Sequence, residues 1–99
     1  MDEPNLPEWL TEEDDGSLVV SFKSLKKRPN IDGTEVKELR MREPTVTDQI
    51  TQVKKHSDSG DAEVALIANL TEQSPEAIGA LTLRQYKRCA TALGFFTSG

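Results

Sequence analysis

The sequence predicts an α+β fold in which a disordered acidic N-terminal tail precedes a β-hairpin and a small bundle of three to four short helices. Three observations carry that prediction. Apolar residues alternate with polar ones over residues 18–22 and again around Leu39 and Met41, with Asp32-Gly33 between them as a turn signal. From Thr45 onward the apolar residues recur at every third or fourth position, which is helical spacing. Ahead of both, residues 1–17 hold seven acids, no Lys or Arg, two prolines and three large apolar side chains, Leu6, Trp9 and Leu10. That composition buries too little apolar surface to offset the entropy of ordering it.

The tail is therefore assigned to residues 1–17 and a single α+β domain to residues 18–99, with the hairpin over 18–43 and the helices over 45–94. A chain of 99 residues, 35% of them apolar, supplies one small core, with stability on the order of 5 kcal/mol. A homo-oligomer or a bound partner would add to it. Within the tail, Leu6, Trp9 and Leu10 stand at i, i+3 and i+4, the spacing of a one-turn docking face.

Each element has a local reason. Leu18, Val20 and Phe22 share one face of the first strand. The return strand, residues 34–42, puts Leu39 and Met41 on one face and Glu38, Arg40 and Arg42 on the other. Val36 breaks this parity and predicts a bulge near the turn. Pro44 stops the strand. Thr45 with Asp48 reads as a capping box for a helix carrying Val46, Ile50 and Val53 on one face. Asp61 is the expected cap of a second helix, with Val64, Ile67, Ala68 and Leu70 available for burial. Ser74-Pro75 opens a short third helix to about Leu81. Thr82 with Gln85 is a second capping box. It starts a last helix whose stripe is Leu83, Tyr86, Ala90 and Leu93, and Gly94 is its expected end. Phe95 and Phe96 then either fold back onto the last turn or form a small exposed patch.

Charge and cysteine content exclude several function classes. The net charge of −5 is uneven: beyond residue 17 the chain carries ten acids against twelve bases. Phosphate neutralisation dominates nucleic-acid affinity, so such a chain is a poor general nucleic-acid binder. On the hairpin Lys37, Arg40 and Arg42 interleave with Asp32, Glu35, Glu38 and Glu43, the pattern of ion pairs on a solvated face. The segment SPEAIGAL, where a recognition helix would lie, has no base-reading side chain. Cys89 is the only cysteine, which rules out an intramolecular disulfide and fits a reducing compartment. No apolar run approaches the roughly 20 residues that span a bilayer, and the acidic N-terminus lacks the basic and apolar segments of a secretory leader. A cytoplasmic location with no membrane association is expected.

Catalysis finds no footing. His56 stands beside Lys54 and Lys55 without a second His or a Cys nearby, so no metal or other cofactor is expected. Acid pairs such as Glu12-Glu13 lie in the tail, where nothing would fix their geometry. Protein–protein binding remains.

The stretch DGTEVKELRMREPTVTDQI, residues 32–50, resembles the tail assembly chaperones of Mu-like and P2-like contractile-tailed phages. It has a glycine hairpin turn, a strand reading V-x-x-L-x-[LM]-R-x-P, and an Asp shortly after that opens the first helix. The ending LTLRQYKRCATALGFF, residues 81–96, is similar as well, and the resemblance spans about residues 17–96. It implies a non-enzymatic protein that binds the tape measure protein and keeps it soluble until the tail tube polymerises, in the host bacterial cytoplasm. It also implies a longer form made by translational frameshifting that reaches the tail tube protein. Phe95 and Phe96 permit a run of six thymidines at which such a shift would occur.

On this reading the hairpin is a specificity surface, and the apolar helix stripes serve both core and client. The candidate partner-binding residues are Arg40 and Arg42 on the hairpin, Trp9 in the tail, Tyr86 on the last helix, and Phe95 and Phe96 after it. The alternative reading is a small regulatory or antitoxin-like DNA-binding protein.

Overall fold

Alternation at period two makes the sheet. In the computed structural model, which describes residues 6–97, β1 (Leu10–Glu12), β2 (Leu18–Ser21) and β5 (Glu38–Met41) form an antiparallel sheet in the order β1-β2-β5. The register sets Leu10 opposite Val20, Val20 opposite Leu39, and Leu18 opposite Met41. All five side chains lie on one face and all are buried. Against that face pack α2 (Ser59–Thr71) and α4 (Leu83–Thr97), with α1 (Val46–Lys55) and α3 (Pro75–Gly79) resting on α2. Val20, Phe22, Met41, Ile67, Leu70, Ile78 and Cys89 are fully enclosed between the two layers.

The expected disordered tail differs in residues 6–17. Leu10–Glu12 is the edge strand β1, Leu10 belongs to the core, and Leu6 and Trp9 pack against it. Two of the acids that suggested disorder, Glu13 and Asp15, have partners. Arg40 reaches Glu13 Oε1 and Asp15 Oδ2, each at 2.6 Å, across the β1–β2 turn. Asp15 also accepts a hydrogen bond from Ser17 N at 2.9 Å, and Gly16 supplies the positive φ of +90° that closes the turn. The part of the predicted tail over residues 1–5 lies outside the described residues.

The hairpin is also interrupted. Asp32 and Gly33, at φ 54° and 81°, make the turn the sequence signals. That turn closes only a two-residue pair, β3 (Asn30–Ile31) with β4 (Thr34–Glu35). At Val36, where parity breaks, the ladder stops: Val36 N donates to Pro29 O at 2.7 Å, and β5 then resumes beside β2. An Arg28–Glu35 ion pair ties the small hairpin to the connection before it.

Among the helices, the caps at Thr45, Ser74 and Thr82 are those the sequence predicts. α2 starts earlier than expected, because Asp58 rather than Asp61 accepts from Gly60 N at 2.7 Å and Asp61 N at 3.2 Å. α3 ends at Gly79, short of Leu81.

α4 differs twice. Its buried residues are Gln85, Cys89 and Ala92, one step out of phase with the expected stripe, and Leu83 is 87% exposed. Gln85 Nε2 donates to Lys27 O at 3.0 Å, which turns this face inward, and the small Cys89 and Ala92 let the helix approach the sheet. Tyr86, Leu93, Phe95 and Phe96 flank the core as half-buried residues. Gly94 does not end the helix. It lacks the left-handed conformation of a glycine cap, and α4 continues through it to Thr97.

The buried Leu10 yields a direct check on the edge strand. Leu10→Ala should cost about 2–4 kcal/mol in urea unfolding, the range for a leucine truncated in a core. A change within about 0.5 kcal/mol would mean that the segment is a solvated tail.

Candidate functional site

α1 is an amphipathic helix mounted inside out. Val46, Ile50 and Val53, at i, i+4 and i+7, form one stripe, and they are 75%, 48% and 60% exposed. No residue of α1 is buried. Its half-covered positions are the polar Asp48, Thr51 and Gln52. The sequence assigned the helix stripes a share in the core as well as in client binding; this one contributes nothing to the core. Together with α2 it borders a groove of about 340 Å³ whose walls include Gln49, Gln52, Val53, Ala62 and Leu66.

Local chemistry holds α1 in this pose without burial. Thr45 Oγ1 accepts from Asp48 N at 3.1 Å, while Thr45 N donates to Asp48 Oδ2 at 2.8 Å, which completes the capping box. Arg42 grips the same carboxylate with both prongs, Nη1 to Oδ2 at 2.8 Å and Nη2 to Oδ1 at 3.1 Å. The Arg42 guanidinium, followed by the Thr45 amide, holds the Asp48 carboxyl well below its ordinary value. At the other end Lys54 and Lys55 complement the helix dipole, and His56 N donates to Gln52 O at 3.1 Å. The sequence shows this clamp only as a strand terminator and a cap; the arginine that spans them is not visible in the periodicity.

The six candidate partner-binding residues do not form one site. Arg40 is engaged with Glu13 and Asp15, and Arg42 with Asp48. Trp9 lies beneath Arg88, whose guanidinium carbon is 5.0 Å from the ring centroid. Arg88 also donates to Ser21 O at 2.8 Å, so it fastens Trp9 and β2 to α4. The Tyr86 hydroxyl donates to Glu63, and burial pushes the phenol above its ordinary value. Phe95 and Phe96 lie along the core margin.

Cys89 is enclosed, and burial pushes its thiol up to about 12. Among the described residues no group of three or more His, Cys, Asp or Glu side chains is placed to hold a metal ion, and no helix is long and apolar enough to cross a membrane.

The family model for phage tail assembly chaperone proteins, E, or 41 or 14, matches residues 24–98. The chain belongs to this family. No curated protein and no solved structure matches it. The matched segment contains all four helices, the Arg42–Asp48 clamp and the exposed stripe, whereas β1 and β2 precede it. Between the two readings of the sequence, membership decides for a tail assembly chaperone over a DNA-binding regulator.

The clamp has a pH signature. Because the folded-state pKa of Asp48 is lowered, its stabilisation is present above the ordinary value of 3.8 and is lost as pH falls from there toward the depressed value. Asp48→Asn should cost about 1 kcal/mol at neutral pH, a cap-sized loss, since the Arg42 partner is partly solvated. The gap between variant and parent in urea unfolding should narrow steadily between about pH 4 and about pH 2. A gap that does not change over that window would show that the carboxylate charge plays no part.

Proposed function

We propose that this tail assembly chaperone acts without catalysis in the host bacterial cytoplasm. It binds the tape measure protein, the long coiled-coil ruler of the tail, through the outward stripe of α1. It keeps that client soluble until tail tube subunits polymerise around it. The supporting observation is the mounting of α1, a well-capped helix that turns three aliphatic side chains outward and polar ones inward. A coiled-coil client exposes aliphatic seams before assembly, and a helical stripe is their natural complement.

The magnitudes suit a holdase. Full burial of a Val or Ile side chain gives roughly 1.5–3 kcal/mol. Three partly exposed ones then give on the order of 5 kcal/mol, of which the association cost leaves a small net affinity. Such a contact holds a client weakly enough for tube subunits to displace it.

A longer form, made by a −1 translational frameshift at the Phe95 and Phe96 codons, would add an arm for the tail tube protein. Both phenylalanines lie within the last turns of α4, so an extension from Thr97 onward would leave the domain body unchanged.

Co-expression with the tape measure protein tests the reading. The triple variant Val46→Lys, Ile50→Lys, Val53→Lys should keep its circular dichroism spectrum, since all three side chains are exposed. It should lower the yield of soluble client by about tenfold or more, as expected when most of a contact of this size is lost. A folded triple variant that solubilises the client as well as the parent does would refute the proposal.

A further inference from the structure

A second surface stands apart from the α1 stripe. Between the β2–β3 connection and the start of α4 lies an open cleft of about 480 Å³, lined by Leu25, Lys26, Lys27, Thr82, Leu83 and Arg84. Its two large apolar side chains are Leu25 and Leu83. Leu83 is the most exposed large hydrophobic among the described residues, at 87%. Three cations form the rim, and no acid lines the cleft.

Both walls are fixed in advance. The Thr82–Gln85 capping box sets the first turn of α4, with Thr82 N donating to Gln85 Oε1 at 2.9 Å and Gln85 N to Thr82 Oγ1 at 3.2 Å. The buried Gln85 then bonds across to Lys27 O at 3.0 Å, so one side chain ties wall to wall. Leu25 N donates to Phe22 O at 3.0 Å, which anchors the opposite wall in the core. The cleft therefore needs little reordering to accept a ligand, and that lowers the entropic cost of binding.

Charge decides the class of occupant. The net charge of the whole chain is −5, yet this one concavity is rimmed only by positive side chains. Elsewhere Arg28, Arg40 and Arg42 each hold a carboxylate of the same chain. A bare polyanion such as nucleic acid would satisfy the rim but leave the leucine floor uncovered, and the rest of the protein would repel it.

We propose that the cleft docks an acidic, leucine-bearing segment of a partner protein. An aliphatic side chain of that segment seats between Leu25 and Leu83, and flanking carboxylates pair with Lys26, Lys27 and Arg84. The cleft shares no lining residue with the α1–α2 groove. The chaperone thus has two docking faces, one selecting by aliphatic shape and one by charge as well.

A fluorescein-labelled synthetic peptide of alternating glutamates and leucines, titrated with the full chain by fluorescence anisotropy, tests this. Saturable binding is expected, weakened by about tenfold when salt is raised from about 0.05 to 0.5 M. Leu83→Ser and Lys27→Glu should each weaken it by about tenfold or more, because both side chains are exposed and lie on the cleft. Ile50→Lys, on α1 and outside the cleft lining, should leave it unchanged, which separates this site from the tape measure proposal. Absence of saturable binding, or equal binding by the Leu83→Ser protein, would overturn the inference. So would equal binding of a peptide with glycine in place of leucine, or of a single-stranded DNA of the same charge.

Discussion

Arg42 stands at the end of β5 and makes two kinds of contact at once. Its backbone N donates to Leu70 O at 3.1 Å, which fastens the strand to the last turn of α2. Its guanidinium grips Asp48 at 2.8 and 3.1 Å, which fastens the strand to the first turn of α1. Sheet, core helix and outer helix are thus joined at one residue, with Pro44 forcing the chain to change direction between them. Without this junction α1 would rest on α2 by half-covered, mostly polar contacts alone, because no residue of it is buried. Helices of 10 residues are marginal in isolation, so a helix that rests on α2 without burying a residue depends heavily on its cap and its tether.

That dependence leaves the stripe available. In most small domains each aliphatic side chain is needed for the core, and a 99-residue chain has few to spare. Here the enclosed residues come from the sheet face, α2, α3 and α4. Recruiting Leu10 through β1 enlarges that core from a segment whose composition is mostly acidic. The same recruitment occupies Arg40, whose carboxylate partners lie in the β1–β2 turn. Arg40 on the charged hairpin face thus also serves as an internal fastening, while the exposed large apolar side chains lie on α1 and at Leu83.

What the sequence made legible was local. The caps at Thr45, Ser74 and Thr82 depend on residues three apart, and the sheet face depends on strict alternation at Leu18 and Val20, Leu39 and Met41. What it hid was set by distant partners. β1 is three residues long among acids, and the arginine that neutralises those acids is 27 residues away from Glu13. The phase of α4 is set by a hydrogen bond from Gln85 to a carbonyl 58 residues away. Amphipathicity told that α1 has an apolar face but not which way the face is mounted, since periodicity carries no information about the neighbouring layer. Gly94 permits a helix stop without requiring one; with no left-handed turn built around it, the helix runs on. The candidate site was legible as a stripe and a cap, and illegible as an exposed surface.

The central claim is that α1, and not the hairpin, meets the tape measure protein. Site-specific photo-crosslinking tests it most directly, with a photoreactive amino acid placed at position 50 on α1 or at position 40 on the hairpin during co-expression with the client. Position 50 should give a covalent adduct with the tape measure protein that mass spectrometry maps to a helical, aliphatic segment, and position 40 should give little or none. Adducts from position 40 without any from position 50 would contradict the claim and return the binding surface to the charged hairpin.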